Sequence, residues 1–556
     1  MLLSSLIFSL SLLLVSNVVS TQDAGRSFKP IGISPGPVVV ATKGAVWPRP
    51  QQQKKFETFM MVRPNEFTFK VVNKDCEILQ NALQRYQKII ENKIKMRKMI
   101  RNDESDAKKR DLMTNNKFVG YLDTLKVNLL SKCEDLPYFN MDEKYELKIN
   151  TPDMPKDALL TSASIWGILR GLETFSQLIY LTDSTALVVN TTAISDFPRF
   201  SHRGLLLDTS RHFMPMATIY KMLDAMAMNK FNVFHWHIVD DHSFPYQSTT
   251  FPRLASYGAY SPRHMYTQEN VKNVLKYATF RGIRVIAEFD TPGHTRSWGE
   301  GHPELLTKCY RNNNPDGSLG PMNPIYNTTY AFMDAFLDEI KNVFPDKFTH
   351  LGGDEVDYAC WESNPELLNY VRKNNITFTQ LEELYVKKVI DMTVKKSMIP
   401  IVWQEVFDNG LNIPKNTIVH VWKHHSGPYK EEMSRVTKMG YTTLLSSPWY
   451  LDHLKDGGDW IKFYNLDPYD FDGNDEQKKK VIGGEACMWS EAVDSTNVMQ
   501  RVWPRAAAVA EKLWSPPGKN THLAAARLEE HACRLNLRGI PTQPPNGPGF
   551  CPYINI

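Results

Sequence analysis

The chain has 556 residues, of which 42% are hydrophobic and 11% aromatic, so it can bury a large core and two domains are expected. Its 65 basic and 61 acidic residues are spread along the chain and leave a formal charge of +4. The sequence therefore shows no cluster of basic residues for binding a nucleic acid. These numbers predict a small or neutral molecule as the partner.

The first residues are apolar and then give way to the polar segment TQDAGR. Residues 1–21 are predicted to be a cleaved signal peptide, with an uncleaved anchor helix as the alternative. No second spanning segment follows, so no stable membrane anchor is expected. Residues 22–46 are rich in proline and glycine and predict an extended lead-in, because proline at this density prevents a regular helix.

The cysteines lack the close spacing that a zinc site or a thioredoxin-like centre needs, and disulfides are therefore expected. Sequons at Asn190, Asn327 and Asn375 agree with passage through the secretory route. Together with the signal peptide, these features predict the lysosome or the cell exterior. The seven cysteines are Cys76, Cys133, Cys309, Cys360, Cys487, Cys533 and Cys551.

Residues 47–198 alternate short β-rich runs with amphipathic stretches. The runs FTFKVV and YELKIN predict strands, and SIWGILRGLETFSQLIY predicts a helix. This part of the chain is expected to form a small α+β domain.

Residues 199–556 repeat a unit in which an apolar strand ends in polar or aromatic residues and a helical stretch follows. Eight such units predict a catalytic (β/α)8 barrel, and LAAARLEEHACRLNLRGI predicts a closing helix. The candidate strands are GLLLD, NVFHWHIVDD, RVIAEFD, FTHLGGDE, PIVWQEV, TIVHVWK, TTLLSSPWY and VIGGEACMWSE.

Carboxylates and tryptophans collect at the carboxyl ends of these strands, where barrels of this kind place their active sites. Aromatic faces pack on the apolar face of a sugar ring, while carboxylates and arginine bind its hydroxyls. The predicted barrel mouth is therefore a sugar site.

Asp354 and Glu355 follow the fourth strand as neighbours in sequence. Glycosidases usually place two carboxyl groups about 5 to 10 Å apart, as acid and as base or nucleophile. Side chains of consecutive strand residues diverge. An adjacent pair better suits an acid beside a residue that holds a nucleophile carried by the substrate, such as an N-acetyl group. A surface loop or a helix cap is the alternative for this pair.

Six segments together resemble the β-N-acetylhexosaminidases of glycoside hydrolase family 20, particularly the animal, lysosomal type. The resemblance extends from about Trp47 to Tyr553, and that family also places a small α/β domain before its barrel. The segments are HRGLLLDTSRHF, FHWHIVDDHSFP, EFDTPGHTRSW, HLGGDEVDYACW, WQEVFD and GGEACMWSE.

The resemblance implies that Glu355 is the proton donor and later the base, while Asp354 orients the acetamido group of the substrate. The acetamido oxygen then attacks the anomeric carbon, and hydrolysis retains configuration. By the same resemblance, Tyr450 hydrogen-bonds the acetamido group, and His294 and Asp240 support the acid.

Further residues are implied to bind the substrate, a glycan with a terminal β-linked GlcNAc or GalNAc. The residues implied to bind the sugar hydroxyls are Arg211, Asp452 and Glu491. Those implied around the acetamido group and under the sugar ring are Trp403, Trp422, Trp460 and Trp489.

The resemblance also implies three disulfides and no cofactor or metal. They would join Cys76 to Cys133, Cys309 to Cys360, and Cys533 to Cys551, and Cys487 would remain a buried thiol. A homodimer is expected, but Asp456 stands where dimeric relatives lend a tyrosine to the neighbouring site, which argues against a shared site. By the same resemblance, Asp452 matches the type of subunit that prefers neutral glycans.

Two alternatives compete with this hypothesis. His235 and His237 lie two apart on one predicted strand and could belong to a metal-dependent barrel hydrolase, together with His294, His420, His424 and His425. A carbohydrate-binding protein that keeps the pocket without turnover is the second alternative.

Overall fold

The computed structural model describes residues 38–99, 112–182, 186–423, 429–453, 457–518 and 520–551. The predicted signal peptide, most of the lead-in, His424, His425 and Asp456 lie outside these ranges. The chain from Val39 onward forms one compact unit. Among the described helices, none combines the length and the apolar character that crossing a membrane requires.

The amino-terminal part contains a mixed sheet in the order β2-β4-β6-β5-β8-β1-β3, with β7 paired to β8. Two helices accompany it, α1 (Glu77–Met99) and α2 (Ile165–Leu178). The α2 helix begins where Ser164 caps it by accepting the N–H of Trp166, and all its residues are buried. The strands are β1 (Gln52–Val62), β2 (Thr68–Val71), β3 (Phe118–Leu122), β4 (Thr124–Leu129), β5 (Tyr145–Ile149), β6 (Ala158–Ser162), β7 (Tyr180–Leu181) and β8 (Leu187–Asp196).

Eight parallel strands close into a barrel in the order β9-β10-β11-β14-β15-β16-β17-β18. All eight segments predicted as barrel strands contribute one strand each, and the fold class is confirmed. The strands are β9 (His202–Asp208), β10 (Val233–Val239), β11 (Arg284–Phe289), β14 (Phe348–His350), β15 (Ile399–Trp403), β16 (Ile418–Val421), β17 (Thr442–Leu445) and β18 (Val481–Met488).

Helices surround the barrel, and short 3-10 turns lie at Pro303–Leu305 and Gly457–Asp459. The long helices are α3 (Met216–Met228), α5 (Gln268–Thr279), α7 (Asn327–Val343), α9 (Pro365–Asn374), α10 (Phe378–Lys395), α12 (Tyr429–Lys438), α16 (Arg505–Trp514) and α17 (Thr521–Leu537). The short ones are α4 (Arg253–Gly258), α6 (Arg296–Gly301), α8 (Tyr358–Ser363), α11 (Gln404–Asp408), α13 (Trp460–Tyr464), α14 (Asp475–Lys479) and α15 (Val498–Val502).

Side chains alternate across each barrel strand, because successive strand residues face opposite sides. On β10, Phe234 and Trp236 join the large apolar core around the barrel, whereas Val233 belongs to a separate cluster inside it. That inner cluster seals one end of the barrel with Val233, Ile286, Phe348, Ile401, Ile418 and Leu444. Two residues further along these strands the interior becomes polar, with His235, Glu288, His350 and His420, all buried.

The fourth barrel strand is shorter than FTHLGGDE predicts. It ends at His350, because Gly352 and Gly353 adopt φ of +71° and +93°, which turn the chain out of the β conformation. A Cβ atom at Gly352 would also lie 1.6 Å from Oδ1 of Asp290. The two glycines therefore place the following residues on a tight loop.

The segment around Cys309 forms a hairpin of β12 (Leu306–Arg311) and β13 (Asn314–Met322). The disulfide Cys309–Cys360 ties this hairpin to α8. Disulfides also join Cys76 to Cys133 and Cys533 to Cys551, and Cys487 is a buried free thiol. These are the pairs that the resemblance implies.

Candidate active site

Asp354 and Glu355 lie on the loop after β14 and differ in exposure. The side chain of Asp354 is 11% exposed and that of Glu355 is 59% exposed. A carboxylate oxygen of each lies 3.7 Å from Nε2 of His294. Both His294 and Glu355 have positive φ, +53° and +50°, which is uncommon away from glycine and typical of functional loops.

A chain of side chains runs from His294 into the barrel. Nδ1 of His294 lies 3.2 Å from Oδ1 of Asp240. The other oxygen of Asp240 lies 2.9 Å from Nε2 of His237 and 2.8 Å from Nη2 of Arg211. Nδ1 of His237 lies 2.7 Å from Oε2 of Glu288. Acids and bases therefore alternate from Glu288 to the mouth.

The charges in this chain stabilise one another. Burial opposes ionisation of Asp240, but hydrogen bonds from His237 and His294 bring its pKa well below the usual value. Burial also opposes protonation of His237, yet Glu288 and Asp240 raise its pKa to about 10. His294 is desolvated as well, and the charges of Asp354 and Asp240 raise its pKa well above the usual value.

Aromatic rings form the wall of the pocket beside these carboxylates. The ring of Trp403 is 6.3 Å from that of Trp422 and 6.0 Å from that of Trp489. Tyr450 stacks on Trp422 at 6.0 Å, with its ring buried. These four rings come from the ends of four strands and enclose space suited to a small apolar group on a sugar.

The prediction that Trp460 belongs to this wall is wrong. Trp460 begins α13 and is fully buried. Its indole N–H donates to the carbonyl of Pro545 at 3.0 Å, and its ring packs edge-on against Tyr464. Trp460 is part of the core behind the barrel, and Trp489 supplies the third tryptophan of the wall.

Arg211, Asp452 and Glu491 lie at the rim of the pocket. Nη1 of Arg211 lies 3.1 Å from Oδ2 of Asp208 and 3.7 Å from Oε1 of Glu491, and its guanidinium lies over the Trp489 ring. Burial raises the pKa of Asp452 to about 6, and the charge of Glu491 acts in the same direction. This rim offers both donors and acceptors to sugar hydroxyls.

Comparison with known proteins decides the family. The model of the glycosyl hydrolase family 20 catalytic domain matches residues 200–517, and a model described as beta-acetyl hexosaminidase like matches residues 46–178. The chain belongs to glycosyl hydrolase family 20. The resemblance stated from the sequence motifs is thereby confirmed, and the chain is a glycoside hydrolase.

Individual relatives of this family 20 enzyme cover almost its full length. It is 44% identical to the human beta-hexosaminidase subunit beta, over 100% of this chain and 97% of the relative. It is 46% identical to the bovine beta-hexosaminidase subunit alpha, over 91% and 95%. Among solved structures, a Flavobacterium johnsoniae chitobiase superposes with a TM-score of 0.74 at 28% identity, covering 90% of this chain and 73% of that one.

Sequence reasoning gave no role to three buried carboxyl groups of this family 20 site, and it did not single out Glu288. Glu288 accepts the indole N–H of Trp403 at 2.8 Å, and Glu405 accepts that of Trp422 at 2.8 Å. Asp290 accepts the backbone N–H of Gly353 at 2.8 Å. An acidic residue at an inward position of an otherwise apolar strand, as in RVIAEFD, is the feature that would have identified Glu288.

Both ring nitrogens of His235 and of His237 lie close to carboxylates, and His235 also lies near His350 and His420. Nδ1 of His235 lies 2.7 Å from Glu485 and its Nε2 lies 2.9 Å from Glu288. His237 likewise meets a carboxylate at each ring nitrogen. Burial opposes protonation, but these carboxylates raise the pKa of His235 to about 9 and that of His237 to about 10. These shifts favour protonated imidazoles that donate hydrogen bonds to the carboxylates on either side.

The predicted glycosylation sites differ in accessibility. Asn327 and Asn375 are exposed, at the first residue of α7 and just after α9. Asn190 lies within β8, is partly buried, and accepts a hydrogen bond from the hydroxyl of Tyr180 at 3.0 Å. The folded surface therefore presents two of the three sequons.

Proposed function

We propose that this family 20 enzyme is an exo-β-N-acetylhexosaminidase that removes terminal GlcNAc or GalNAc by substrate-assisted retaining hydrolysis. Its substrates are glycoconjugates or chitooligosaccharides with a terminal β-linked N-acetylhexosamine. The similarity to mouse and human beta-hexosaminidase subunits beta supports the activity. The site geometry supports the mechanism.

The unequal exposure of Asp354 and Glu355 carries the proposal. Glu355 reaches the open mouth, where the leaving oxygen of a glycoside departs, and serves as the acid and then as the base that activates water. Asp354 faces the aromatic pocket, and its Oδ1 is buried without a hydrogen bond to any described residue. That oxygen is free to accept the N–H of an acetamido group.

The acetamido oxygen is the nucleophile in this scheme. Accepting the acetamido N–H lets Asp354 orient the group and stabilise the positive charge that develops on it when its oxygen attacks the anomeric carbon. Tyr450, Trp403, Trp422 and Trp489 enclose the acetamido group, and Arg211, Asp452 and Glu491 bind the hydroxyls. Asp240 and His294 hold Glu355. Glu355 then takes a proton from water, which attacks the anomeric carbon from the face that the leaving group vacated and displaces the acetamido oxygen, so configuration is retained.

Replacing Glu355 tests the assignment of the acid. Glu355→Gln should lower kcat on phenyl β-GlcNAc by about 10²-fold or more, because general acid catalysis contributes that much. Glu362→Gln, at an exposed carboxylate on α8, is the matched control and should keep wild-type kcat. Proton NMR of the first product should show the β-anomer. Equal rates in the two variants, or an α-anomer, would reject the proposal.

We further propose passage through the secretory route to the lysosome or the exterior. The three disulfides support an oxidising compartment. A homodimer remains a prediction, and sedimentation of the purified chain tests it.

A further inference from the structure

Glu288 is a buried carboxylate that the proposed mechanism leaves without a role. It lies on β11 and is completely buried. Its Oε1 accepts the indole N–H of Trp403 at 2.8 Å and lies 3.2 Å from Nδ1 of His350. Its Oε2 lies 2.7 Å from Nδ1 of His237 and 2.9 Å from Nε2 of His235. Glu288 thus joins side chains from three other strands.

Two of these partners belong to the pocket. Trp403 is part of the aromatic wall, and its indole orientation is fixed by the bond to Glu288. His237 continues through Asp240 to His294, whose Nε2 lies 3.7 Å from Glu355. One carboxylate therefore contacts both the wall and the chain of residues that ends at the acid.

We infer that Glu288 is a positioning residue, which fixes the Trp403 wall and holds the His237–Asp240–His294 chain in the charge state that serves Glu355. The inference rests on the proposed function, since it assumes that Glu355 donates the proton. Glu288 touches no substrate and acts only through these neighbours.

The charges around Glu288 support this role. Burial would keep Glu288 protonated, but His350, His237 and His235 lower its pKa well below the usual value. Its negative charge in turn helps to keep His237 protonated, and His237 keeps Asp240 ionised. The remaining titratable groups that face this cluster are Asp290 just after the same strand, Glu485 across His235, and His420 beside His350.

Glu485 provides a matched control inside the same barrel. It is also buried, at 1% exposure, and it lies 2.6 Å from His202 and 2.7 Å from His235. In the described part of the chain it bonds neither Trp403 nor His237. Glu485→Gln therefore removes a buried carboxylate and its histidine contacts while leaving the pocket wall and the chain to Glu355 in place.

The test compares Glu288→Gln with Glu485→Gln on aryl β-N-acetylglucosaminides whose phenols differ in acidity. A good leaving group needs little protonation, and a poor one depends on the acid. We expect Glu288→Gln to lose at least about tenfold more kcat on the phenyl than on the 2,4-dinitrophenyl substrate, as a weakened acid requires. Glu485→Gln should lower the thermal midpoint about as much as Glu288→Gln does. Its kcat, relative to the wild type, should fall by the same factor on both substrates.

Glu355→Gln in the same panel separates the two claims. If Glu355→Gln shows no leaving-group dependence, the proposed function fails. If Glu355→Gln shows it and Glu288→Gln behaves like Glu485→Gln, only the role of Glu288 is overturned. Should Glu288→Gln not fold, His237→Gln carries the test, because it breaks the same chain and leaves the Trp403 contact. If His237→Gln lowers kcat by the same factor on every substrate, the inference is likewise overturned.

Discussion

The buried charges between the amino-terminal sheet and the barrel differ from those at the barrel mouth in how completely they are paired. Between the two parts, Glu143 binds Arg170 and Arg203 at 2.8 and 2.5 Å. The other guanidinium nitrogens of these arginines donate to the backbone carbonyls of Arg281, Gly282, Lys230 and Phe200. This network is complete within the protein.

The mouth contains buried polar atoms without a hydrogen bond to any residue in the described ranges. They are Nε of Arg211, Nε2 of His294, Oδ1 of Asp354 and Oδ1 of Asp452. Unmade hydrogen bonds of buried groups are costly, and native proteins keep few of them. The comparison teaches that the Glu143 network is satisfied within the protein, whereas the mouth keeps buried polar atoms available to a sugar substrate.

Breaking the complete network should have the largest effect. Glu143→Gln leaves two buried guanidinium groups without a countercharge, and the free energy of unfolding should fall by about 3–5 kcal/mol. Denaturant unfolding measures this loss. Asp153→Asn, in an exposed pair with Lys148 at 2.7 Å, is the control and should leave the free energy of unfolding close to that of the wild type. A similar small loss in both variants would contradict the structural role of the Glu143 network.

Changing the incomplete network should affect activity instead of stability. Asp354→Asn keeps the size of the side chain but removes the charge that stabilises the acetamido intermediate, so kcat should fall by about 10²-fold or more. The thermal midpoint should stay the same or rise, because a poorly paired buried charge is removed. Steady-state kinetics and calorimetry measure the two effects. A clear drop in the thermal midpoint would show that Asp354 stabilises the fold, which contradicts this prediction.

A third kind of buried carboxyl, Glu382, gives a smaller, pH-dependent effect. Burial raises its pKa from the ordinary 4.5 to about 7, against hydrogen bonds from Tyr358 and Asn409. The neutral form therefore stabilises the fold fully below pH 4.5, and this contribution is lost as the pH rises towards 7. The shift corresponds to about 3 kcal/mol at most.

Glu382→Gln should flatten the dependence of the thermal midpoint on pH between 4.5 and 7. Glu431→Gln, at an exposed carboxylate on α12, should leave that dependence unchanged. If the Glu382 variant kept the wild-type slope, Glu382 would be ionised in the folded protein.

The fold could be predicted from the sequence because the barrel strands are apolar runs with polar ends. Strand lengths were less predictable, since the positive φ of Gly352 and Gly353 ends β14 early. Asp354 and Glu355 could be identified from the segment HLGGDEV, because a short motif needs no long-range information to be recognised.

The errors in the site arise from long-range packing. Trp489 directly follows β18, whereas Trp460 begins α13 in the connection between β17 and β18. Only the position of that helix behind the barrel shows that Trp460 is a core residue. His237 entered the alternative of a metal-dependent hydrolase because its partner Glu288 lies 51 residues away in sequence and cannot be assigned from the local pattern. The sequence pattern predicts on which face of the strand His237 lies, but it does not predict whether the imidazole is protonated.

The central claim is that the substrate's acetamido group is the nucleophile. Its most direct test is kcat/KM for 4-nitrophenyl β-GlcNAc against 4-nitrophenyl β-glucoside, which lacks that group. The mechanism predicts a rate on the glucoside lower by about 10³-fold or more, since a positioned intramolecular nucleophile is lost. Comparable rates on the two substrates would contradict the account.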